Sequence, residues 1–426
     1  MLDPRLIRAD PEGVREALAR RGADEPAKID RFLELDAHRR ALQQRVEAVR
    51  ADRNAAARAI ADAKARGEDA AAEIVRQSQL KDAQTTDEAA LAEADAEIAE
   101  LMLRIPNVPH PSAPAGDTDE DAEVIRSVGA PPDFGFEPRD HLALAGPEGL
   151  GLIDMEAGSR VSGSRFHYLL GDLVRLQFAL VNWGLAKLMA RGFVPVQPPV
   201  LVKEPAMVGT GFFPDTEQQV YAVAGEELFL VGTSEVPVAS LHGDQMLDEA
   251  SLPLHYVGYS SCFRREAGAA GKDTRGIFRV HQFDKLELFS FCRPETSWDE
   301  QEMLLGIEEE IAQELGFHYR VANIAAGDLG MPAARKFDIE VWLPGQGRYR
   351  ELTSCSNCTD YQARRLNVRF RPDGGKPQFV HTLNGTALTS SRTLLALIEY
   401  GQHADGSVTT PEVLHPHGAP PVLAPR

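Results

Sequence analysis

Residues 27–104 are almost free of glycine and proline, and their apolar residues recur at alternating spacings of three and four. The first half carries this pattern at Leu35, Leu42, Val46, Val49, Ala56, Ile60 and Ala63, with Arg39 and Arg53 at the polar exceptions. This is the spacing of a coiled-coil seam. It breaks at 66–69 and returns at Leu91, Ala94, Ile98, Leu101 and Ile105. The sequence therefore predicts two long helices that fold back on each other as an antiparallel hairpin.

The two limbs of this hairpin differ in charge. Residues 39–66 carry eight cations against three acids, whereas residues 67–100 carry ten acids against two cations. Two interpretations are open. The limbs can simply attract each other and solvate their outer faces, or the arginines can follow a phosphate backbone, to which guanidinium groups bind in bidentate fashion. The net charge of −19 does not exclude a nucleic-acid partner, because the distribution of charge decides.

Length and composition exclude several classes of protein. A chain of 426 residues is expected to form two or three domains. No window approaches the roughly 20 apolar residues of a membrane helix, and the charged N-terminus lacks the apolar stretch of a secretory signal, so we expect a cytoplasmic protein without a membrane partner. Of the four cysteines only Cys355 and Cys358 are close, and one such pair is half of a zinc site. We expect reduced thiols and no zinc.

A proline-rich segment separates the hairpin from the rest of the chain. Four prolines fall within residues 106–114, which cannot continue a helix. We therefore expect an N-terminal helical domain over 1–105, a linker over 106–139 and a second domain over 140–426.

The second domain mixes helical and strand-like patterns. We predict helices over 166–191 and 298–315, and strands over 228–231, 255–259, 285–291 and 337–343. Regular strand–helix alternation is absent, and so are the glycine-rich phosphate motifs of doubly wound folds. The predicted class is therefore α+β, with an antiparallel sheet and helices on one face.

Three segments could hold a nucleotide through side chains. Arg264 and Arg265 precede Glu266, and a glycine-rich loop then leads to Phe283, so that guanidinium groups for a phosphate stand beside a ring for a purine. Glu351 with Ser354 offers oxygen ligands for Mg²⁺, and Arg392 begins an apolar helix. Each segment alone is equally typical of residues that face water.

Taken in order, these segments resemble the signature motifs of class II aminoacyl-tRNA synthetases. Residues 192–201, with Pro199 as the fixed point, look like the first motif, residues 263–283 like the second, and Arg392 with its helix like the third. Four runs resemble the seryl-tRNA synthetases in particular: 233–235, 266–283 (which includes Gly268), 354–358 and 381–386. The resemblance extends from the first residues to about 416 and includes the helical arm.

This resemblance implies a function and a set of site residues. It implies activation of L-serine with ATP and transfer of serine to tRNA(Ser), and to tRNA(Sec) where present, by a homodimer that uses Mg²⁺. It implies catalysis by Arg264, Glu266 and Arg392. It implies serine contacts from Thr233, Ser234, Glu235, Arg264, Glu287, Asn384 and Thr386. It implies ATP contacts from Arg264, Arg265, Glu266, Val280, Phe283, Glu351, Leu352, Thr353, Ser354 and Arg392, with Mg²⁺ on Glu351 and Ser354. It also implies tRNA contacts from Arg39, Arg45, Arg53 and Arg58, and a dimer interface at Pro199.

Two departures and three alternatives accompany this interpretation. Residues 389–391 are Thr-Ser-Ser, where small apolar residues or a glycine are more usual, and 400–401 are Tyr-Gly, where Asn-Tyr is frequent. The alternatives are a paralogue (either an adenylate-forming enzyme that charges a non-tRNA acceptor or a seryl-tRNA synthetase specialised for secondary metabolism), a regulatory tRNA-binding homologue, and a structural coiled-coil protein. The intact arm argues against the paralogue with another acceptor. The presence of Arg264, Glu266, Glu351 and Arg392 argues against a regulatory homologue that has lost catalysis.

Overall fold

The computed structural model describes residues 1–214, 219–267, 273 and 275–424. Gly268, which belongs to one of the runs noted above, and most of the glycine-rich loop lie outside these residues. The chain divides into two compact units, Leu2–Pro106 and Asn107–Arg426, and Met1 belongs to the second.

The first unit is entirely helical. Its helices are α1 (Pro4–Ala9), α2 (Pro11–Ala19), α3 (Glu25–Ala65) and α4 (Ala71–Leu103). Helix α3 has 41 residues and α4 has 33, which gives lengths of about 60 and 50 Å. Between them Gly67 adopts a φ of 70°, a left-handed conformation that glycine takes without strain. The predicted helical hairpin is confirmed.

The seam of the hairpin follows the predicted spacing. Leu42, Val46 and Ile60 of α3 are buried, and Val49 is half-buried. Polar pairs flank the seam: Arg50 Nη2 lies 2.7 Å from Glu88 Oε1, and Arg45 forms an ion pair with Asp87. The opposite charges of the two limbs therefore hold the limbs together for at least part of their length.

The second unit is built around a large sheet. Its strands in chain order are β1 (Glu123–Val128), β2 (Ile153–Asp154), β3 (Tyr168–Leu169), β4 (Val194–Val196), β5 (Leu201–Val202), β6 (Tyr221–Ala222), β7 (Phe229–Leu230), β8 (Met246–Asp248), β9 (Leu254–Phe263), β10 (Gln282–Cys292), β11 (Tyr319–Asn323), β12 (Arg335–Leu343), β13 (Arg348–Asn357), β14 (Arg369–Arg371), β15 (Gln378–Phe379), β16 (His381–Thr389), β17 (Val408–Thr409) and β18 (Val422–Leu423). Eight of them form one sheet in the order β1-β11-β12-β13-β16-β10-β9-β4. All neighbours in it are antiparallel except β4 and β9, which are parallel.

Helices cover both faces of this sheet. The helices of this unit are α5 (His141–Ala145), α6 (Met155–Ser162), α7 (Asp172–Met189), α8 (Glu204–Thr210), α9 (Glu235–Ala239), α10 (Ser297–Glu314), α11 (Tyr361–Leu366) and α12 (Ser390–Tyr400). The main core lies between one face and α7, α10 and α12. A smaller core around Phe289 and Phe291 joins the other face to α9 and α11. The α+β class with an antiparallel sheet is confirmed, although the helices are not confined to one face.

Two elements differ from the sequence-based prediction. The helix expected over 166–191 begins only at Asp172, because Gly171 before it has a φ of 56° and Tyr168–Leu169 instead pairs with Ile153–Asp154. The segment 106–139 is more than a linker, since it supplies β1, which pairs with β11 at an edge of the large sheet. The prolines of 106–114 do end the hairpin, but they carry no signal for the strand after them.

No helix among the described residues has both the length and the apolar character needed to cross a bilayer.

Candidate active site

A polar cavity of about 320 Å³ opens on the sheet face opposite α7, α10 and α12. It is lined by Arg264, Glu266, Phe278, Arg279, Val280, Phe283, Lys285, Lys336, Glu351, Leu352, Ser354, Thr386, Thr389, Ser391 and Arg392. Strand geometry explains the grouping. Successive side chains of a strand alternate between its faces, so Phe283, Lys285 and Glu287 of β10 all project to the same side.

Cations surround the carboxylate of Glu351 at one end of this cavity. Arg392 Nη1 lies 3.3 Å from Glu351 Oε2 and donates to the Glu351 carbonyl oxygen at 3.0 Å. Burial raises the pKa of Glu351, but Arg392, Lys336 and Arg264 together outweigh burial and hold this pKa below its usual range. The side chain keeps 42% of its surface exposed, so an ionised carboxylate is accessible beside Ser354.

Aromatic rings and guanidinium groups alternate across the cavity. The Arg264 guanidinium lies over Phe283 with its carbon 5.3 Å from the ring centroid, and Arg264 Nε donates to the Gly232 carbonyl oxygen at 3.1 Å. Phe278 lies beneath two guanidinium groups, those of Arg350 at 3.7 Å and Arg392 at 4.7 Å. Flat cations and rings of this kind suit a purine and its phosphates.

A second polar group lies at the inner end of the cavity, around the buried carboxylate of Glu287. Its Oε2 accepts a hydrogen bond from Thr233 Oγ1 at 3.2 Å, and its Oε1 accepts one from Asn384 Nδ2 at 3.1 Å. Lys285 forms an ion pair with the same carboxylate. Thr386 stands opposite Glu287 in the β10–β16 register and lines the cavity, so the two regions adjoin.

Glu235 is a second buried carboxyl near Glu287, and it accepts a hydrogen bond from a buried glutamine. Gln362 Nε2 donates to Glu235 Oε1 at 2.7 Å and to the Thr210 carbonyl oxygen at 3.1 Å. Thr382 Oγ1 donates to Gln362 Oε1 at 2.7 Å, so both ends of the amide are used. Burial, and next the charge of Glu287, raise the pKa of Glu235 to about 7.

Three of the residues expected at the site point elsewhere. Arg265 lines a separate pocket with Tyr221 and Phe229. Thr353 is two residues before Cys355 on β13, so both side chains project to the same face. Cys355 Sγ lies against Gln301 of α10, and Thr353 is therefore buried on the helix-covered face. Ser234 Oγ donates to the Gly258 carbonyl oxygen at 3.2 Å. The other residues expected to bind serine or ATP lie in the cavity or in the polar groups around Glu287 and Glu235.

Several residues of the site were not predicted. Lys285 and Lys336 line the cavity, Gln362 holds Glu235, and Phe278 lies under Arg392. The two-residue alternation along β10 was a signal for Lys285, which lies midway between Phe283 and Glu287. For Gln362 there was no comparable signal, because Glu235 and Thr210, to which its amide nitrogen donates, lie 127 and 152 residues away along the chain.

The two sequence departures have local explanations. Thr389 and Ser391 line the cavity, while Ser390 Oγ accepts a hydrogen bond from the Asp284 N–H at 2.9 Å. Tyr400 donates its hydroxyl to the His318 carbonyl oxygen at 3.2 Å. A Cβ at Gly401 would lie 2.0 Å from the Thr409 carbonyl oxygen, so the backbone there requires glycine.

Three of the four arginines expected to contact tRNA make polar contacts inside the first unit. Arg39 lies 3.7 Å from Asp36 and 3.9 Å from Asp95, Arg45 pairs with Asp87, and Arg53 donates to Gln84. The fourth, Arg58, is exposed. Charge attraction between the limbs, which was one of the two interpretations, is therefore present for Arg39 and Arg45, and Arg53 adds a hydrogen bond to a neutral amide.

Family models match both units of the chain. The model described as the seryl-tRNA synthetase N-terminal domain matches residues 1–109. The model described as the tRNA synthetase class II core domain (G, H, P, S and T) matches residues 220–400, which contain all of the residues that line the cavity.

Relatives and solved structures agree with these models. A serine–tRNA ligase from Nocardia farcinica is 48% identical over 100% of both chains. The crystal structure of seryl-tRNA synthetase from Pyrococcus horikoshii complexed with ATP is 40% identical, with a TM-score of 0.94 and 100% of both chains covered. The cytoplasmic serine–tRNA ligase of Naegleria fowleri in complex with AMP is 34% identical, with a TM-score of 0.88, over 100% of this chain and 99% of that one. Since identity at this level extends through the arm, the sheet and the cavity, the chain belongs to the seryl-tRNA synthetases.

Proposed function

We propose that the protein activates L-serine with ATP, which yields seryl-adenylate and diphosphate, and then transfers the serine to the 3′ end of tRNA(Ser). The observation that carries the proposal is the continuity of two regions: a cavity with rings and cations that suit a nucleotide, and the adjoining Glu287 group, which suits a small amino acid. The two substrates of an adenylate-forming reaction must lie next to each other, and this arrangement allows it.

The nucleotide region can stabilise the charge that develops in the first step. A serine carboxylate oxygen attacks the α-phosphorus, a new P–O bond forms, and the bond to diphosphate breaks. Arg264 is the cation we assign to the α-phosphate, with Glu266 and Arg392 on the nucleotide. A fixed guanidinium in a cavity stabilises such charge with little reorganisation, and no covalent enzyme nucleophile is needed.

The serine region can select by charge and by hydrogen bonding. The Glu287 carboxylate suits the serine ammonium group, while Thr233, Asn384 and Thr386 surround it with polar atoms. We assign the serine hydroxyl to the neighbourhood of Glu235. A site that hydrogen-bonds a hydroxyl rejects alanine strongly, because its own polar groups would then lack a partner.

Mg²⁺ is part of the proposal. Glu351 and Ser354 both line the cavity and offer the carboxylate and hydroxyl oxygens that this ion prefers. The depressed pKa of Glu351 keeps that carboxylate ionised at neutral pH. Bound there, the ion would neutralise phosphate charge. Among the described residues no three acidic, histidine or cysteine side chains cluster as metal ligands, so phosphate oxygens and water would complete the shell.

The acceptor and the cellular location complete the proposed function. In the second step a hydroxyl of the terminal ribose of the tRNA attacks the seryl carbonyl carbon and releases AMP. We assign the arm to the long variable arm of the tRNA, read through phosphate and ribose contacts. Because charged tRNA is used where translation takes place, we place the enzyme in the cytosol.

Diphosphate exchange into ATP tests the first step. All twenty amino acids are assayed with the wild-type protein and with Arg264→Ala. We expect exchange with serine alone and a loss of about 10²–10³-fold in the variant, the magnitude typical of a removed charge-stabilising donor. The neighbouring arginine provides a matched comparison: Arg265→Ala should lose less, because its side chain lines a different pocket. Absence of serine-dependent exchange in the wild type would refute the proposal.

Aminoacylation tests the second step. Serine attached to tRNA(Ser) at a rate comparable to exchange supports the proposed acceptor. Exchange with serine but no transfer to any tRNA would instead favour an adenylate-forming paralogue with another acceptor.

A further inference from the structure

We propose that His141 is a positioning residue for the nucleotide cavity, acting through the backbone of Ile277. His141 lies outside the motif segments named in the sequence analysis, at the start of α5. The inference rests on the proposed function only in that it takes ATP as the ligand of the cavity.

The imidazole of His141 makes two hydrogen bonds in the interior. The Ile277 N–H donates to His141 Nε2 at 3.2 Å, and His141 Nδ1 lies 3.2 Å from Glu399 Oε1. His141 is 4% exposed, and Ile277 and Glu399 are fully buried. Because a backbone N–H can only donate, Nε2 must be the acceptor and Nδ1 must carry the ring proton. The ring is therefore a neutral bridge with a fixed tautomer.

Glu399 fixes the ring by several contacts. Its Oε1 also accepts from the His141 N–H at 3.2 Å, and its Oε2 accepts from the Gly345 N–H at 2.9 Å. A buried carboxylate with several N–H donors is well satisfied, so it can hold the imidazole in one orientation. Helix α12, which begins beside the cavity with Arg392, thus also ends in the contact that orients His141.

Ile277 is followed immediately by residues that line the cavity. Phe278 lies under the guanidinium groups of Arg392 and Arg350. Arg279 Nη1 donates to Glu266 Oε2 at 2.5 Å, and Val280 follows it along the cavity wall. The hydrogen bond from the Ile277 N–H to His141 is not part of a strand or helix, so it is a specific anchor for this wall.

The backbone next to Ile277 is shaped to admit the histidine. Gly276 has a φ of 79°, and a Cβ on it would lie 2.1 Å from His141 Nε2. Any other residue would force the ring away from the Ile277 N–H. Arg275 adds a charged contact to the neighbour of His141, with Nη2 3.1 Å from Asp140 Oδ2.

Two substitutions separate the two hydrogen bonds of His141. In His141→Asn the amide nitrogen falls near Nδ1, so the contact with Glu399 remains and the acceptor for Ile277 is lost. In His141→Gln the amide oxygen falls near Nε2, so the acceptor remains and the Glu399 contact is weakened. If the wall depends on Ile277, KM for ATP in serine-dependent exchange should rise about tenfold in His141→Asn, the equivalent of one lost hydrogen bond of about 1.4 kcal/mol.

The test is the difference in KM for ATP between His141→Asn and His141→Gln. We expect the KM of His141→Gln for ATP to stay within about threefold of the wild type, and KM for serine to stay within about twofold in both variants. Loss of thermal stability should be similar in the two, since each loses one hydrogen bond. Equal increases in KM for ATP and serine, or equal effects in both variants, would overturn the proposal and leave His141 a purely structural residue.

A direct measurement of ATP binding tests the role of His141 whether or not serine is the substrate. ATP affinity measured by calorimetry without any amino acid should be weaker in His141→Asn than in His141→Gln, and equal affinities would refute the positioning role. Should His141→Asn fail to fold, Glu399→Gln replaces it. Its KM for ATP should rise about threefold because the imidazole is held less firmly, and an unchanged KM would refute the proposal.

Discussion

At the scale of single residues, Glu235 is a carboxyl near the cavity whose pKa is strongly raised. It is buried, receives a hydrogen bond from Gln362 at 2.7 Å, and has a pKa raised to about 7 by burial and by the charge of Glu287. The proton of such a carboxyl is gained or lost close to neutral pH. Because Oε1 accepts from Gln362, the proton belongs on Oε2, where it could be donated to a serine hydroxyl.

The raised pKa of Glu235 predicts how its substitution changes stability with pH. The folded pKa of about 7 exceeds the ordinary 4.5, so the wild-type protein loses stability as pH rises between these values. Glu235→Gln cannot ionise and avoids this loss. The melting temperature of the variant, measured relative to the wild type, should therefore be higher at pH 8 than at pH 5. The same difference at both pH values would show that Glu235 titrates as an ordinary carboxyl.

Sequence predicted the chemistry of the site better than the direction of its side chains. Arg264, Glu351 and Arg392 were expected to act together, and they line one cavity. Thr353 was expected beside them, but strand alternation turns it to the opposite face. His141 and Gln362 were not expected, since they act through partners more than a hundred residues away in sequence. Contacts of that kind depend on the fold and leave no local pattern.

At the scale of elements, the arginines of the arm differ in the contacts that they make within the hairpin. Arg45 and Arg58 are both exposed, but Arg45 forms an ion pair with the buried Asp87. Arginine can contact a phosphate while it is paired, so all four arm arginines remain proposed tRNA contacts. The pairing nevertheless means that removal of Arg45 also removes an ion pair within the hairpin.

The two arginines therefore predict different phenotypes. Arg58→Ala should weaken tRNA binding and lower the slope of log affinity against log salt by about one, with an unchanged melting temperature. Arg45→Ala should lower the melting temperature of the arm as well. Filter binding across a salt series and circular dichroism measure the two effects. An unchanged salt slope in Arg58→Ala would exclude Arg58 as a phosphate contact.

Element boundaries were predicted well where the periodic pattern extended over many residues and poorly where the element had only a few residues. The hairpin extends over about eleven turns in α3, and its periodicity identified it. The two-residue strands β2 and β3 are too short to show a period, so the start of α7 was placed too early. Strand β1 was missed because its partner β11 lies almost two hundred residues further along the chain.

At the scale of the whole molecule, the catalytic unit exposes apolar side chains in the region expected to form a dimer. Seven large ones lie between residues 161 and 201: Val161, Tyr168, Leu170, Phe178, Met189, Val194 and Leu201. Strand β4 is also an edge of the large sheet, and Pro199 follows it in an exposed position. Exposed apolar residues beside an open strand edge are typical of a surface that binds another chain. They support the homodimer that the family resemblance implies.

A charge introduced on this surface should dissociate the dimer. Phe178 is 56% exposed on α7, so Phe178→Asp is compatible with a folded monomer but would bury a carboxylate in an interface. Light scattering at micromolar concentration should give twice the monomer mass for the wild type and the monomer mass for the variant. As a control, Val75→Asp changes an arm residue that is 58% exposed and should not alter the mass. A monomeric wild type would refute the homodimer.

The position of β16 in the large sheet has a consequence for synthesis. Residues 381–389 join β13 on one side to β10 on the other, and without them the sheet consists of two separate pieces. A ribosome that has made only the first 380 residues has therefore produced two half-sheets, each with an unpaired edge open to other nascent chains. The catalytic cavity forms late, since Thr386 and Arg392 are among its walls. A chain that ends before residue 381 would therefore lack two walls of the cavity as well as the strand that joins the two parts of the sheet.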